Sequence, residues 1–200
     1  MRIIAGKYKK TPIKTIEGTD ITRPTRDMVK EAVFSSIDIY SDTIFLDLFS
    51  GSGAIGLEAL SRGAKDVVFN DINRDVVKII KENLNKVKEN RTVLNLNYDE
   101  CLYKLKGYKF DYIYCDPPYN FAYYEDLFID IDKYELLSEK GIIIVEIRKD
   151  RDLDLKDSYL DIYKYKEKKY GITKVLYYKK GNVWLKQYIQ EHLIQLLLAT

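Results

Sequence analysis

Residues 43–56, with the sequence TIFLDLFSGSGAIG, decide the fold of this chain. The first half is an apolar run typical of a buried strand. The second half carries Gly51, Gly53 and Gly56 in a G-x-G-x-x-G arrangement and leads into a stretch with helical spacing. A glycine-rich turn between a parallel strand and its helix lets the backbone approach a nucleotide closely. The stretch therefore predicts a doubly wound, nucleoside-binding α/β fold.

Downstream of this turn, short apolar runs alternate with amphipathic stretches, which is the pattern of parallel strands joined by helices. The predicted strands are residues 43–49, 66–71, 92–97, 110–115 and 141–147, and the predicted helices between them include 54–63, 74–88 and 124–137. Two final runs separated by Tyr170 and Gly171 predict an antiparallel hairpin. The sequence thus predicts a seven-stranded, mostly parallel sheet that ends in an antiparallel C-terminal hairpin.

The chain divides into three predicted units. Residues 1–42 form a basic arm, read as a short strand pair or an extended segment, followed by a helix over 26–37 with Thr25 as its N-cap. Residues 43–182 form the α/β domain, and residues 183–200 predict an amphipathic helix. Docking of that helix on the sheet explains its apolar face better than a membrane role does.

Composition and charge describe an ordinary globular chain with basic ends. Of its 200 residues 46% are hydrophobic and 32% are charged, and the net charge is +2. Residues 1–30 hold eight Lys or Arg and three acids, and residues 164–180 hold seven lysines and one acid. These segments either contact a polyanion or simply solvate the surface. Two cysteines are too few for a disulfide framework or a zinc site, and no signal peptide or membrane-spanning run is present, so we expect a cytoplasmic protein without a metal.

Acidic residues around the glycine turn indicate which nucleoside is bound. Asp71 follows Gly51 by twenty residues, at the end of the second predicted strand, where an acid accepts the ribose hydroxyls. Asp47 lies beneath the turn, where it would attract an ammonium and repel a pyrophosphate, and it therefore favours S-adenosylmethionine over NAD. Asp99 either accepts the adenine amino group or caps the next helix. The candidate cofactor residues are Asp47, Phe49, Ser50, Gly51, Gly53, Asp71, Ile72, Asp99 and Glu100.

The fourth predicted strand runs directly into Asp-Pro-Pro-Tyr, residues 116–119. Prolines cannot continue a sheet ladder, so the strand ends here with a stiff backbone behind the acid. The Asp116 carboxylate and the Pro117 carbonyl can accept both N–H groups of an exocyclic base amine, which exposes the nitrogen lone pair to a methyl donor. Tyr119 can stack on a base extruded into the site. The candidate catalytic residues are Asp116, Pro117, Pro118 and Tyr119; the single histidine, His192, lies in the tail and is not expected to act as a base.

Five segments of the chain, spanning residues 1–182, resemble the RsmD-type small-subunit rRNA guanine-N2 methyltransferases: MRIIAGKYKK, TRPTRDMVKEAVF, LDLFSGSGAIGLEALSRGA, FDYIYCDPPY and YGITKVLYYKK. The resemblance implies a Rossmann-like class I methyltransferase fold, S-adenosyl-L-methionine as cofactor, and one guanine of 16S rRNA, free or in an assembling small ribosomal subunit, as substrate. It also implies that the basic N-terminal segment follows the RNA backbone. The candidate RNA-binding residues are Lys7, Lys9, Lys10, Arg23, Thr25 and Arg26.

Three features depart from the family pattern, and three other functions compete with it. The arm is rich in lysine where arginine is expected, the ribose acid Asp71 is an aspartate where glutamate is common, and residues beyond Asn182 fall outside the pattern. A DNA adenine-N6 or cytosine-N4 methyltransferase would use the same chemistry but needs a target-recognition domain for which the chain has little room. A nicotinamide-dependent dehydrogenase has no use for Asp47 or Asp116. A non-catalytic rRNA-binding assembly factor would have no reason to keep the Asp-Pro-Pro-Tyr motif.

Overall fold

A computed structural model describes residues 1–15, 23–148 and 155–181. The helices are α1 (Arg23–Phe34), α2 (Ala54–Arg62), α3 (Arg74–Lys86), α4 (Tyr98–Lys104) and α5 (Tyr124–Lys133). The strands are β1 (Ile44–Asp47), β2 (Asp66–Asn70), β3 (Val93–Leu94), β4 (Phe110–Cys115), β5 (Leu137–Arg148), β6 (Ser158–Tyr159), β7 (Ile162–Tyr170) and β8 (Thr173–Lys180). All eight strands belong to one sheet.

The sheet has the order β3-β2-β1-β4-β5-β8-β7-β6. The first five strands in this order are parallel, and β8 joins the edge of β5 antiparallel to it. The chain moves outward from β1 to β3 and then returns to the other side of β1 as β4. Ligands of open α/β sheets bind at such a reversal, outside the carboxyl ends of the strands.

The predicted fold class is confirmed, and three of its details need correction. The sheet has eight strands because Ser158–Tyr159 adds a short edge strand to β7. The helix expected over 124–137 ends at Lys133, since Leu137 already pairs with Phe110 as the start of β5. The strand expected over 92–97 shortens to Val93–Leu94. The hairpin predicted at Tyr170-Gly171 is confirmed, and Gly171 takes a positive φ of 55° there.

The first helix also differs from its prediction. It begins at Arg23 and ends at Phe34, so Thr25 lies inside its first turn and the prediction of Thr25 as the N-cap is wrong. Pro24 explains the earlier start, because proline fits the first turn of a helix, where a backbone N–H has no partner within the helix. The helix predicted over residues 183–200 lies outside the described residues.

Each face of the sheet is covered by its own apolar layer. On one face α4 and α5 bury side chains such as Leu102 and Phe128 against β4 and β5. On the other face α1, α2 and α3 bury Val33, Leu57 and Ile80, and residues Ile3 and Ile13 of the N-terminal segment join the same layer. With both faces covered, the parallel strands present only their ends to solvent.

The N-terminal segment is fastened to α2 through a buried acid. Glu58, which is 0% exposed, accepts hydrogen bonds from the backbone N–H groups of Ile4 (2.8 Å) and Ala5 (3.0 Å). Lys30 and Arg62 lie 3.5 Å and 2.9 Å from its oxygens and compensate its charge. These hydrogen bonds join the N-terminal segment to α2. The predicted division of the chain at residue 42 remains a prediction.

Glycine is needed where the segment crosses α2. Gly6 has a φ of 78°, and a Cβ built there would lie 1.8 Å from the Ser61 carbonyl oxygen. Lys7 N–H donates to that same carbonyl at 2.8 Å, so the two backbones are in direct contact. The segment is short and antiparallel to itself, with one bridge between Arg2 and Pro12. The expected strand pair is thus present in minimal form.

Candidate active site

The carboxyl ends of β1, β2, β4 and β5 meet at one edge of the sheet. β1 and β4 stay in contact past their last ladder pair, because the Leu48 N–H donates to the Tyr114 carbonyl at 3.0 Å. The glycine turn that follows β1 and the Asp-Pro-Pro-Tyr motif that follows β4 are therefore neighbours. The sequence prediction that both motifs lie at strand ends is confirmed by the strand bounds.

The glycine turn is held from below by Asp71. Its two carboxylate oxygens accept from the Gly51 N–H at 3.0 Å and from the Asn73 N–H at 2.9 Å. Burial raises the pKa of Asp71, and the two N–H donors oppose that rise. Gly51 has a φ of 51°, and nothing lies within 4 Å of a Cβ built on it. The turn thus presents open backbone on its outer side, which is the surface that a nucleoside would approach.

Asp47 lies at the end of β1, under the start of α2. It is 1% exposed, and its Oδ2 accepts from the Gly56 N–H at 3.0 Å. Burial raises its pKa to about 7, with a further contribution from the nearby Asp71 carboxylate. A buried carboxylate with a raised pKa gains stability when a cation comes close, because the opposite charge favours the ionised form. Asp47 is therefore suited to an ammonium group.

Ser50 joins the ends of β1 and β2. Its hydroxyl donates to the Asp47 carbonyl at 2.6 Å and accepts from the Asn70 N–H at 3.0 Å. Its own N–H donates to the Asn70 carbonyl at 2.9 Å. The side chain is buried, and its hydrogen bonds hold the ends of β1 and β2 together below the turn. Gly53 completes the turn with a φ of 77° and precedes the first residue of α2.

An aromatic cluster connects the two motifs. Phe49 lies 5.3 Å from Phe121 and 6.2 Å from Tyr98, measured between ring centroids, and Phe121 lies 4.9 Å from Tyr124. The Phe121 N–H donates to the Pro118 carbonyl at 2.9 Å and closes the turn that follows the two prolines. The cluster gives the edge an apolar floor between the glycine turn and Asp-Pro-Pro-Tyr.

The start of α4 corrects one of the alternatives for Asp99. Asn97 is the N-cap of α4, and Glu100 completes a capping box by accepting from the Asn97 N–H at 3.3 Å. Asp99 is therefore not the cap; it lies exposed in the first turn. The Glu100 carboxylate therefore stabilises the start of α4. Its contact with a cofactor remains a prediction. Ile72 is 70% exposed and follows Asp71 directly.

The Asp-Pro-Pro-Tyr motif is more open than the glycine turn. Asp116 and Pro118 are exposed, whereas Pro117 is buried and anchors the turn. The ring of Tyr119 is 59% exposed, and the Arg148 guanidinium lies over it, 5.7 Å from the centroid. An exposed aromatic ring beside a carboxylate offers a stacking surface and a hydrogen-bond acceptor to the same ligand.

Three residues at this edge were missed by the sequence reasoning. Tyr114 is buried two residues before Asp116, and its hydroxyl donates to Glu146 on β5. Burial, and next the Glu146 and Asp116 carboxylates, raise the pKa of Tyr114 well above its usual value. Arg148 ends β5 beside Tyr119. The available signal was Glu146 itself, because a single acid interrupts the apolar run GIIIVEI.

The predicted RNA-binding residues belong to the N-terminal segment and to the first turn of α1. Lys7 forms an ion pair with Glu89 at 2.7 Å, whereas Lys9 and Lys10 are exposed at the turn of the N-terminal segment. The side chains of Arg23, Thr25 and Arg26 lie outside what the structure describes. Within residues 1–15, 23–148 and 155–181, no helix has the length and apolar character to cross a bilayer, and no cluster of His, Cys, Asp and Glu could hold a metal ion.

Known proteins resemble this chain in sequence and in fold. The sequence model of the family described as conserved hypothetical protein 95 matches residues 1–179. The chain is 36% identical to YlbH of Bacillus subtilis over 90% of this chain and 99% of that protein. It is 34% identical to ribosomal RNA small subunit methyltransferase D of Haemophilus influenzae over 90% and 93% of the two chains. The structure of yhhF from Escherichia coli superposes with a TM-score of 0.75 at 26% identity, over 91% of this chain and 98% of that one.

Proposed function

Because this chain belongs to the family described as conserved hypothetical protein 95, the RsmD-type methyltransferases, we propose that it methylates the exocyclic N2 of a guanine in 16S rRNA. The curated relatives of Haemophilus influenzae and Escherichia coli are both named ribosomal RNA small subunit methyltransferase D. The observation that supports the proposal is the contact between the ends of β1 and β4, which brings the glycine turn beside the Asp-Pro-Pro-Tyr motif.

S-adenosyl-L-methionine is the cofactor that fits the glycine-turn side of the site. We assign its ribose hydroxyls to Asp71, whose oxygens retain acceptor capacity beyond the two backbone bonds that they already make. Its ammonium is assigned to the region of Asp47, and its adenine to the surface that includes Ile72 and Asp99. When bound, this cofactor supplies an electrophilic methyl group on a sulfonium. The residues named here bind and orient it.

The target amine is assigned to Asp116 and Pro117. The nitrogen lone pair of an exocyclic base amine is delocalised into the ring, which makes it a poor nucleophile. Hydrogen bonds from its two N–H groups to the Asp116 carboxylate and the Pro117 carbonyl draw the nitrogen toward tetrahedral geometry. The lone pair then points at the methyl donor. The alkylated nitrogen carries a positive charge and loses a proton readily, so a strong base is not required.

Tyr119 and its neighbour Arg148 are assigned to the base itself. An exposed tyrosine ring can stack on a base that has left its own helix or loop, and stacking of this kind contributes about 1–3 kcal/mol per base. Pro117 and Pro118 keep the backbone fixed, so the acceptors are already in place when the base arrives. Alignment of amine and methyl donor accounts for much of the rate in a reaction of this type.

An rRNA substrate also determines what we expect of the basic residues and of the location of the protein. Lys9, Lys10 and the basic residues at the start of α1 are proposed to contact rRNA phosphates away from the target base. An rRNA or assembling-subunit substrate implies a cytoplasmic location, which remains a prediction. The alternative DNA methyltransferase and dehydrogenase functions receive no support from the relatives named above.

The experiment that tests the proposal is methyl transfer to defined nucleic acids. Purified protein is incubated with tritiated S-adenosylmethionine and with 16S rRNA, small ribosomal subunits or genomic DNA, and the products are digested to nucleosides. We expect label in the rRNA or the subunits, recovered as N2-methylguanosine. Label in DNA, or in another methylated nucleoside of the rRNA, would contradict the proposal.

A further inference from the structure

The strands β7 and β8 carry different side chains on the two faces of the sheet. On β8, Tyr177 packs in the layer of α1, α2 and α3, whereas Tyr178 packs in the layer of α4 and α5. Paired residues share a face, so Lys166 lies on the side of its partner Tyr177. Five side chains of β7 and β8 on this α1–α3 side form what we call the tyrosine–lysine face: Tyr163, Tyr165, Lys166, Lys168 and Lys179.

A β-bulge decides which residues of β7 reach this face. The register shifts between Lys164 and Lys166, so Tyr165 is an extra residue without a partner on β8. In an unbroken strand, Glu167 would lie on the same face as the tyrosines, and Lys166 and Lys168 would point away from it. The bulge reverses the alternation beyond Tyr165. It therefore brings two lysines beside the tyrosines and keeps the acid of this strand on the opposite face.

The ammonium groups of this face lie over aromatic rings. Lys179 Nζ is 5.5 Å from the ring centroid of Tyr163 and 5.0 Å from that of Tyr165. Lys166 Nζ is 4.9 Å from the ring centroid of the buried Tyr177. The rings of Tyr163 and Tyr165 are 36% and 37% exposed. Cations and accessible aromatic rings thus form one continuous surface.

The lysines on the two faces of this hairpin differ in their partners. Lys168 donates to the Ser36 hydroxyl at 2.9 Å, and within the part of the chain that the structure describes no carboxylate forms an ion pair with any of the three ammonium groups of the tyrosine–lysine face. On the opposite face Glu167 lies 3.5 Å from Lys169 and 3.8 Å from Lys164. The positive charge of the tyrosine–lysine face is therefore not compensated locally.

Grouping like charges on one face has an energetic cost. Burial and, next, the charge of Lys168 lower the pKa of Lys166. An anion that approaches both ammonium groups relieves this repulsion, because an opposite charge favours the charged form of each lysine. The face is thus suited to a ligand that carries several negative charges.

Single-stranded RNA has the chemistry that this face requires. Its phosphates pair with lysines, and its unpaired bases stack on exposed aromatic rings, whereas the bases of a duplex are stacked on one another. We infer that the tyrosine–lysine face binds a single-stranded segment of the rRNA substrate. This inference rests on the proposed function and adds a substrate-binding surface outside the site of the target base.

The tyrosine–lysine face begins near the active-site edge and extends away from it. Through β8, Lys168 is aligned with Glu146, two residues before the end of β5, and Lys179 is aligned with Ile142, six residues before that end. At about 3.3 Å per residue, the face reaches roughly 20 Å from the edge where the base is bound. Nucleotides next to the target can therefore lie along the face. Substitutions on it should raise KM for the RNA and leave kcat close to the wild-type value.

The first test measures the phosphate contacts. In the double variant Lys166→Gln with Lys179→Gln, the slope of log affinity for 16S rRNA against log salt should fall by about 0.7 for each phosphate contact that is lost. Lys169→Gln with Lys180→Gln is the matched control on the opposite face of the same two strands, where each lysine is paired with an acid. The control should keep the wild-type slope. An unchanged slope in the first variant would overturn the inference.

The second test measures stacking. Tyr163→Ala with Tyr165→Ala should weaken binding at every salt concentration by about fivefold or more for each base that loses its ring, with no change of slope. Tyr163→Phe with Tyr165→Phe keeps both rings and should bind within about twofold of wild type. Unaltered affinity for S-adenosylhomocysteine verifies that each variant is folded. A lysine effect without a tyrosine effect would show phosphate contact alone and would overturn the assignment to a single strand.

A third measurement uses the wild-type protein and does not depend on the folding of a variant. 16S rRNA that contains 4-thiouridine is bound and irradiated, and the crosslinked peptides are identified. Crosslinks within residues 162–170 support the inference, and crosslinks confined to other segments overturn it. Variants that bind bare rRNA normally but lose affinity for small subunits would assign the face to a ribosomal protein instead.

These outcomes are separate from those of the proposed function. If wild-type protein binds rRNA through the tyrosine–lysine face but yields no N2-methylguanosine, the proposed function fails and the RNA-binding face is supported. If N2-methylguanosine forms and the lysine and alanine variants retain the wild-type KM, only the RNA-binding face is overturned.

Discussion

The two halves of the active-site edge are built differently. On the β1–β2 side, Asp47 is 1% exposed, and the carboxylates of Asp47 and Asp71 accept hydrogen bonds from the Gly56 and Gly51 N–H groups. On the β4–β5 side, Tyr119 is 59% exposed and Asp116 lies at the surface. The first half is preorganised for a small molecule, whereas the second is open enough to receive a base that belongs to a large substrate. This difference predicts that mutations in the two halves separate cofactor binding from methyl transfer.

The largest effect is expected for Asp116→Ala. Removing the carboxylate that is proposed to stabilise the reacting amine should lower kcat by about 10²–10³ or more. Affinity for S-adenosylhomocysteine, measured by calorimetry, should stay within a few-fold of wild type, because the cofactor half is intact. Asp42→Ala, an exposed acid before β1, is the control. Equal losses of binding and rate would assign Asp116 to the cofactor and remove the distinction between the halves.

The converse pattern is expected for Asp71→Ala. Loss of a carboxylate that is assigned to the ribose hydroxyls should weaken S-adenosylhomocysteine binding by about ten- to a hundredfold. The transfer rate at saturating cofactor should change much less. Asp75→Ala, which removes an exposed acid of α3 that is paired with Lys78, should leave binding unchanged. Unaltered affinity in Asp71→Ala would show that this carboxylate only supports the turn.

The buried acid of the cofactor half should produce a pH-dependent stability. Burial raises the pKa of Asp47 from 3.8 in the unfolded chain to about 7. Between these values the folded state holds a proton that the unfolded state has lost, so this residue's contribution is complete at low pH and is lost as the pH rises toward 7. Without cofactor, the wild-type protein should therefore lose about 2 kcal/mol of unfolding free energy between pH 5 and pH 8. Asp47→Asn should not show this loss, because its side chain does not titrate.

Chemical denaturation at several pH values measures this loss. Asp42→Asn should show a constant difference from wild type over the same range. A constant difference for Asp47→Asn as well would mean that Asp47 is ionised throughout and is compensated by groups other than the cofactor.

The smallest effect concerns the distant RNA contacts. Substituting Lys9 and Lys10 with Gln should reduce the slope of log affinity against log salt by about 0.7–0.9 for each phosphate contact that is lost. Filter binding of 16S rRNA over a range of salt concentrations measures the slope. Lys104→Gln with Lys106→Gln, exposed lysines at the end of α4, is the matched control. An unchanged slope in the first variant would exclude the N-terminal turn from the RNA interface.

Much of the fold follows from local sequence patterns. The number and order of the parallel strands, the glycine turn and the starts of α2 and α3 agree with the spacing of apolar residues and glycines. Helix starts and the burial of single side chains were harder to predict, because they depend on contacts with other parts of the fold. The cap of α4 is Asn97, which shares a capping box with Glu100, and the first helix starts at Arg23 because Pro24 fits the first turn. Glu58 looks like a surface acid on an amphipathic helix until the N-terminal segment covers it.

Asp47, Asp71 and Asp116 could be proposed as site residues from the sequence, because each lies at or just beyond the end of a strand, at a recognisable distance from a glycine or proline motif. Glu146 stands out in the sequence as a single acid in an apolar run, but its contact with Tyr114 depends on the register between β4 and β5, which no local pattern contains. Residues whose importance arises from sheet pairing therefore become visible only in the folded structure.

The most direct test of the account is a crystal structure with S-adenosylmethionine bound. We predict that its ribose lies on Asp71, its amino-acid end lies near Asp47, and its methyl group faces the Asp116 carboxylate across the Phe49–Phe121 floor. A donor whose methyl group points away from Asp116, or one that binds elsewhere and leaves the glycine turn without a ligand, would contradict the account.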